Sequence, residues 1–364
     1  IHGGVRYLQQ GNISLVLEAL KERGILNRNA PHLVKNLRFV VPSYDWWEGP
    51  FYGIGLKVYD LLAGKEGFGE SKILSKDKTL ELIPTIETDG LKGGVIYYDG
   101  QFDDSRLIIN MVQTAYEQGA TLLNYCEVTG FTKKDSCISG VIAKDTDSDQ
   151  EYHLKSRVVI NACGVFCDRI RHLDDQKAKS MIAPSQGVHL VLDKSFLPGD
   201  TAIMIPQTDD GRVLFAIPWH DCVIVGTTDS PVTDVHIQPV PMEEEIEFLI
   251  SHAARYLTKD PDLADVLSAF AGLRPLIRDP AAEDTAALSR DHVVMISASG
   301  LVTVGGGKWT TYRKMAEDTV DQAVVVAGLD LRPSTTANLR LHGWLKNAEE
   351  TEGALSDYGS DAPA

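Results

Sequence analysis

Three glycines and a lysine, Gly305-Gly306-Gly307-Lys308, join the apolar run Leu301-Val302-Thr303-Val304 to a stretch in which Met315, Ala316, Thr319, Val320 and Ala323 recur at helical spacing. A strand, a glycine turn and a helix in that order suit an anion. Glycines let backbone approach a ligand, the first helical amides present the positive end of the helix dipole, and Lys308 adds a full charge. By itself the pattern is equally explained by a plain turn between two buried elements, because glycine-rich turns are common. A second glycine pair, Gly3-Gly4, stands between His2 and Arg6-Tyr7 at the head of another helix. That helix is read through Ile13, Val16, Leu17 and Leu20 to an end near Arg23-Gly24, a basic residue and a glycine being usual stop signals. Two such segments in one chain invite a single ligand.

The cations and bases around these segments define the remaining chemistry. Arg274 interrupts the apolar stretch from Ala269 to Ile277, where an unpaired buried cation is costly. It therefore calls for an anion, either a carboxylate such as Asp279 or a ligand. Arg6 and Arg290 offer further planar donor forks suited to phosphate, although Arg290 beside Asp291 also reads as a surface ion pair. His189 alternates with Val188 and Leu190 in a strand pattern, so its side chain faces away from theirs and is available as a base; His2 is a second candidate. Asn161-Ala162-Cys163-Gly164 closes another strand, and ligands in open α/β sheets bind at carboxyl ends of strands. Alone, Gly164 is also a plain strand-to-helix turn.

The elements that must position these groups follow from periodicity and breakers. Leu37 to Val41 is an apolar run ended by Pro42, and a helix or loop carries Trp46, Trp47 and Phe51-Tyr52-Gly53. Ser71 to Asp89 reads as a lysine-rich connecting arm. Gly93 to Asp99 is a strand, Ser105 to Gln118 a helix capped by Asp104 or Ser105, and Thr121 to Thr129, Ile138 to Ala143, Glu151 to Leu154 and Arg157 to Ile160 are strands. From Ile182 to Asp229 the pattern becomes successive strands, Val188–Leu192, Thr201–Ile205, Val213–Ile217 and Cys222–Gly226, an antiparallel cap. Met242 to Tyr256 is a helix headed by Glu243, Glu244 and Glu245, a charge run expected to be solvated.

Composition bounds the partners. The chain has 364 residues, 43% hydrophobic and 24% charged, enough for a sizeable core in two or three structural units. A net charge of −16 argues against nucleic acid. No apolar run approaches the length that spans a bilayer, and no signal peptide opens the chain. The five cysteines, Cys126, Cys137, Cys163, Cys167 and Cys222, lack metal-like pairing and read as reduced thiols, with no metal site expected; a redox role for Cys163 and Cys167 is the weaker reading.

Taken in order, HGGVRYL at 2–8, Asn161-Ala162-Cys163-Gly164, Ile217-Pro218-Trp219, Gly226-Thr227-Thr228-Asp229, Gly272-Leu273-Arg274-Pro275-Leu276 and GGGKWTTYR at 305–313 resemble the FAD-dependent glycerol-3-phosphate dehydrogenases over nearly the whole chain. The resemblance implies an α/β (mixed α+β) fold in which an FAD/NAD(P)-binding, Rossmann-like domain is interleaved with an antiparallel substrate cap. It divides the chain into flavin segments 1–40, 96–180 and 290–333, cap segments 41–95 and 181–289, and the start of a helical C-terminal domain at 334–364. It implies that FAD meets Gly3, Gly4, Ala162, Gly164, Gly306, Gly307, Lys308 and Trp309, with Lys308 and the helix amides supporting negative charge at the N1–C2=O edge. It gives Arg6, Tyr7, Arg274, Arg290 and Lys308 to the phosphate of sn-glycerol 3-phosphate, and His189, Arg274 and His2 to catalysis. The cysteine at 163 replaces the family's usual alanine, and Gln186 stands near a usual lysine.

The expected reaction is oxidation to dihydroxyacetone phosphate, with hydride passing from C2 to flavin N5 and electrons leaving to a quinone. A peripheral place at the membrane surface follows, on the cytoplasmic inner face of the cell membrane, with a homodimer left open. An oxidase using oxygen, an inactive cofactor-free fragment and an amine or amino-acid oxidase are the alternatives, the last disfavoured because three arginines suggest phosphate. The sequence has no GxGxxG and stops soon after Leu341-His342-Gly343-Trp344, so it reads as a fragment without the first βαβ unit and most of the helical domain.

Overall fold

The computed structural model describes residues 1–4, 8, 12–206, 208, 211–278, 291–346 and 355–362. In chain order these form α1 (Ile13–Asn29), β1 (Lys35–Ser43), α2 (Glu48–Ala63), β2 (Lys72–Ser75), α3 (Lys76–Leu82), β3 (Gly93–Gln101) and α4 (Asp104–Glu117). There follow β4 (Cys126–Lys134), β5 (Cys137–Asp145), β6 (Glu151–Lys155), β7 (Val159–Asn161), α5 (Cys167–Asp174), β8 (Ile182–Asp193), β9 (Thr201–Ile205), β10 (Leu214–Trp219) and β11 (Cys222–Gly226). The rest are β12 (Ser230–Pro231), α6 (Glu243–Ala254), β13 (Val266–Ile277), β14 (His292–Ile296), β15 (Leu301–Gly306) and α7 (Tyr312–Val326). The fold is mixed α/β, as expected from the sequence.

Two compact units share the chain. The first comprises residues 1–24, 34–102 and 185–273, the second 25–33, 103–184 and 274–364. The first is organised by a nine-stranded sheet in the order β12-β8-β11-β10-β9-β1-β3-β2, with β13 also pairing with β8. Along that path every pair is antiparallel except β1–β9. Strand alternation buries both faces. Val40, Val188, Leu190, Ile203 and Ile205 pack with Leu249 and Ala253 of α6 on one side, while Leu37, Phe39, Val41, Ala202 and Met204 pack with Leu56 of α2 on the other. The second unit holds two three-stranded sheets, β14-β15-β7 and β4-β5-β6.

Several local expectations are corrected. Helix α1 runs past Arg23-Gly24 to Asn29. Its glycine answers packing rather than a stop, because a Cβ there would fall 1.9 Å from Glu66 Oε2. Pro42 remains within β1, opposite Gly94; the pairing with β9 covers only Arg38 to Val40, so its missing N–H breaks no ladder on that side. The segment from Ser71 to Asp89 is β2 and α3 rather than an arm. Helix α4 is capped by Asp103, whose carboxylate accepts from the Arg106 amide at 2.9 Å, and the strand placed at Thr121 starts at Cys126.

Glu245 departs furthest from a solvated face. It is buried, accepting from Gln186 Nε2 at 2.7 Å, Thr228 Oγ1 at 2.8 Å and the Met242 amide at 3.1 Å. Burial raises its pKa, but these hydrogen bonds more than offset it and hold the carboxyl below its usual value.

Candidate functional site

The glycine-lysine segment is built by strand pairing in the second unit. β15 lies parallel to β7, with Leu301 opposite Val159, Val302 opposite Ile160 and Thr303 opposite Asn161. Their carboxyl ends therefore emerge side by side, which brings Ala162-Cys163-Gly164 next to the segment that follows Val304. Asn161, fully buried, ties the two ends together. Its Nδ2 donates to the Cys167 carbonyl at 3.0 Å and to Thr303 Oγ1 at 3.3 Å. The Cys167 Sγ donates to the Val304 carbonyl at 3.3 Å, and burial pushes that thiol up to about 11. Burial raises the Cys163 thiol as well. Burial thus disfavours the thiolate at both positions.

Gly305 and Gly306 belong to β15 itself, so the turn begins one residue before Lys308 rather than three. Gly306 and Gly307 have φ of 73° and 81°, and a Cβ on Gly306 would fall 2.6 Å from the Asp291 carbonyl oxygen. Lys308 is half-buried with its Nζ out of solvent. It precedes a short 3-10 turn, Trp309–Thr311, which leads into α7. Trp309 packs edge-on against Tyr312, ring centroids 5.3 Å apart. At Gly164, φ 55°, no atom lies within 4 Å of the position a side chain would take. Arg274 is half-buried on β13, less enclosed than its apolar neighbours in sequence suggested. Asp279, weighed as its partner, lies outside the described residues, as do Arg6, Tyr7 and Arg290.

The other candidates belong to the first unit. His2 is exposed, whereas Gly3 and Gly4 are buried. The Gly3 amide donates to the Tyr59 hydroxyl at 2.8 Å, and that hydroxyl donates to Asp99 Oδ2 at 2.9 Å. Asp99 Oδ1 in turn holds Arg23 Nη1 at 2.6 Å, while Nη2 donates to the Glu66 carbonyl at 3.0 Å. Arg23 and Asp99 are 1% and 3% exposed in their side chains. Burial works against the guanidinium, but Asp99 more than offsets it and keeps the Arg23 pKa above its ordinary value; burial, with Asp99, pushes the Tyr59 phenol far up. The network is therefore an ion pair bridged to a backbone amide by a neutral hydroxyl. Sequence reasoning missed this network, since Tyr59 and Asp99 lie 36 and 76 residues from Arg23 along the chain.

His189 sits on β8 directly opposite Gly226 of β11, with its ring stacked on Phe270 of β13 at 5.2 Å between centroids and 14° between planes. The glycine that heads Gly226-Thr227-Thr228-Asp229 thus meets a candidate base, a connection that motif order alone does not carry.

A family model described as FAD dependent oxidoreductase matches residues 1–313. The mitochondrial glycerol-3-phosphate dehydrogenases of Mus musculus and Homo sapiens are each 44% identical over 94% of this chain and 49% of their own length. A probable mitochondrial glycerol-3-phosphate dehydrogenase of Caenorhabditis elegans is 41% identical over 99% of the chain and 52% of its own length. The chain spans about half the length of these curated relatives. Among solved structures, the glycerol-3-phosphate dehydrogenase from Bacillus halodurans complexed with FAD superposes with a TM-score of 0.74 at 32% identity, covering 89% of this chain and 58% of that one. The L-alpha-glycerophosphate oxidase from Mycoplasma pneumoniae has a TM-score of 0.65 at 17% identity, covering 89% of this chain and 83% of that one, a likeness of fold alone.

Proposed function

This chain belongs to the FAD-dependent oxidoreductase family, and from that premise we propose that it carries the oxidation of sn-glycerol 3-phosphate to dihydroxyacetone phosphate. The observation that supports this reading best is the parallel pairing of β7 with β15, whose carboxyl ends lead into the segments of Ala162, Gly164, Gly306, Gly307, Lys308 and Trp309, the residues assigned to the cofactor. The open space at Gly164 fits close approach by a flat cofactor, whereas at Gly306 and Gly307 the place of a side chain is taken by Ile277, the Asp291 carbonyl and Met315. Gly3 and Gly4 are assigned to the same cofactor. When bound, FAD supplies the acceptor for the hydride that leaves substrate C2.

The chain's own residues do the rest. Arg274, with Arg6, Tyr7, Arg290 and Lys308, holds the substrate phosphate through charge-assisted hydrogen bonds and so orients C2. His189 takes the proton of the C2 hydroxyl at a ring nitrogen as the carbonyl forms, with His2 the second candidate. Lys308 and the amides after it offset negative charge developing at the cofactor. The names of the relatives at 41–44% identity support this substrate. The interleaved division, with flavin segments 1–40, 96–180 and 290–333, cap segments 41–95 and 181–289 and a helical domain starting at 334, is part of the same proposal.

Electrons are proposed to leave to a quinone at a membrane surface. Among the described residues no helix is long and apolar enough to cross a membrane. Helix α2 and the residues before it nevertheless expose Trp46, Phe51, Ile54 and Leu61, and an apolar groove of about 720 Å³ there is flanked by Lys57 and Lys72. Exposed apolar side chains flanked by Lys57 and Lys72 suit contact with a bilayer surface. Because the relatives are named as mitochondrial, a mitochondrial membrane is favoured over the inner face of the cell membrane. Fractionation checks the compartment and sedimentation checks the homodimer.

The test is kinetic, in the full-length protein with a dye acceptor. Arg274→Ala is expected to retain flavin and lose about 2–5 kcal/mol of transition-state stabilisation in kcat/KM. Arg274→Lys recovers part of it, since a point charge does not replace the fork. Wild-type kinetics in both variants would make Arg274 a structural ion-pair residue and remove the clamp. Turnover with oxygen as fast as with the dye would favour the oxidase reading.

A further inference from the structure

We propose that Phe270 is a positioning residue for His189, and that Gly226 is the gap that lets the imidazole lie where Phe270 holds it. The proposal rests on the reading of His189 as the base. Two strands that both pair with β8 supply the two contacts: β11 places Gly226 directly opposite His189, and β13 places Phe270 flat against the ring at 5.2 Å and 14°. A Cβ on Gly226 would stand 2.2 Å from His189 Cδ2 and 2.8 Å from Nε2, so the ring occupies the volume any other residue would need. The imidazole is thereby limited in rotation by a bare backbone on one side and an aromatic face on another.

Phe270 is an unusual residue to spend on packing. It is 47% exposed while lying on a strand of a sheet in which Phe39 and Tyr97 are buried. A stack of this kind adds a modest attraction beyond area burial, and truncating a half-exposed side chain leaves the core intact. The orientation of His189, rather than the stability of the fold, is what the contact governs.

The experiment compares Phe270→Leu, Phe270→Tyr, Gly226→Ala and His189→Ala in the full-length protein, by steady-state kinetics and by the rate at which diethyl pyrocarbonate modifies His189, mapped by peptide mass. Phe270→Leu is expected to melt like wild type, to lower kcat about ten- to a hundredfold as for a slightly misplaced catalytic group, to leave KM nearly unchanged and to react faster at His189. Phe270→Tyr should recover most of kcat and the slow modification, because the stack is restored. Gly226→Ala should lower kcat by pushing the ring aside. A rise in KM at wild-type kcat in Phe270→Leu would make Phe270 a wall of the substrate pocket and overturn the proposal. Wild-type kcat and modification rate in Phe270→Leu, with His189→Ala inactive, would overturn it while keeping the base. Full kcat in His189→Ala would overturn the base reading and the proposal together.

Discussion

Gly3-Gly4 and Gly305-Gly306-Gly307 look alike in sequence and are held by different physics. The first pair hangs from the Tyr59 hydroxyl, which is fixed by the buried Arg23–Asp99 ion pair. The second is held by antiparallel pairing with β14, Val293 opposite Gly305 and His292 opposite Gly306, and by the Gly307 amide donating to the Asp291 carbonyl at 3.2 Å. A buried charge pair is conditional: it holds position only while both partners are present, and removing one leaves the other desolvated and uncompensated. Strand pairing is distributed, so the loss of one contact is met by its neighbours. The two segments should therefore fail differently when perturbed.

The largest expected effect is at Asp99. Asp99→Ala leaves the Arg23 guanidinium buried without its carboxylate, and about 3–5 kcal/mol of stability should be lost, read as the midpoint shift in urea. A loss of less than about 1 kcal/mol, the scale of an exposed pair, would show that water reaches the network and that the comparison is wrong.

Gly306→Ala comes next. It places a side chain at positive φ and against the Asp291 carbonyl, for an expected loss of about 1–3 kcal/mol, checked by the same urea titration. A neutral result would mean that the turn relaxes readily and is not a rigid seat.

The smallest effect is pH-dependent and lies at the far end of the second unit. His342 offers Nδ1 to Glu117 at 2.5 Å and Nε2 to Asp361 at 2.8 Å. A carboxylate oxygen facing each ring nitrogen favours the form in which both nitrogens donate, the imidazolium. The hydrogen bond to Glu117, followed by the one to Asp361, outweighs desolvation and raises its pKa above the ordinary value near 6.5. The linkage sign follows: the stabilisation is fully present below that ordinary value and is lost as pH rises through the raised one. His342→Gln should cost about 1 kcal/mol or less on the acid side and nothing at alkaline pH, as seen in melting curves across pH. An equal cost at both ends would show a packing role instead.

What the sequence made legible was local. The strand–turn–helix junctions at Asn161-Gly164 and Val304-Tyr312 were readable because apolar runs and glycines mark them within a few residues. Illegible were contacts whose partners lie far apart. Gly24 resembled a helix stop because its packing against Glu66 has no local sign. The Glu243-Glu244-Glu245 run resembled a solvated face because the partners that bury Glu245 include Gln186, 59 residues away. His189 was identified as a candidate, but its plane is set by Gly226 and Phe270, which only strand pairing brings beside it. Arg274 was singled out as a cation in an apolar stretch of sequence, yet the structure leaves it half-exposed, so its anion is proposed on chemistry rather than on burial.

The most direct test of the central proposal is anaerobic reduction of the flavin in the full-length protein, followed by visible absorption. With sn-glycerol 3-phosphate the oxidised flavin band should bleach without any added acceptor, and with glycerol, which offers no anion to Arg274 and Lys308, it should not. Equal bleaching by both, or none by sn-glycerol 3-phosphate, would contradict the account.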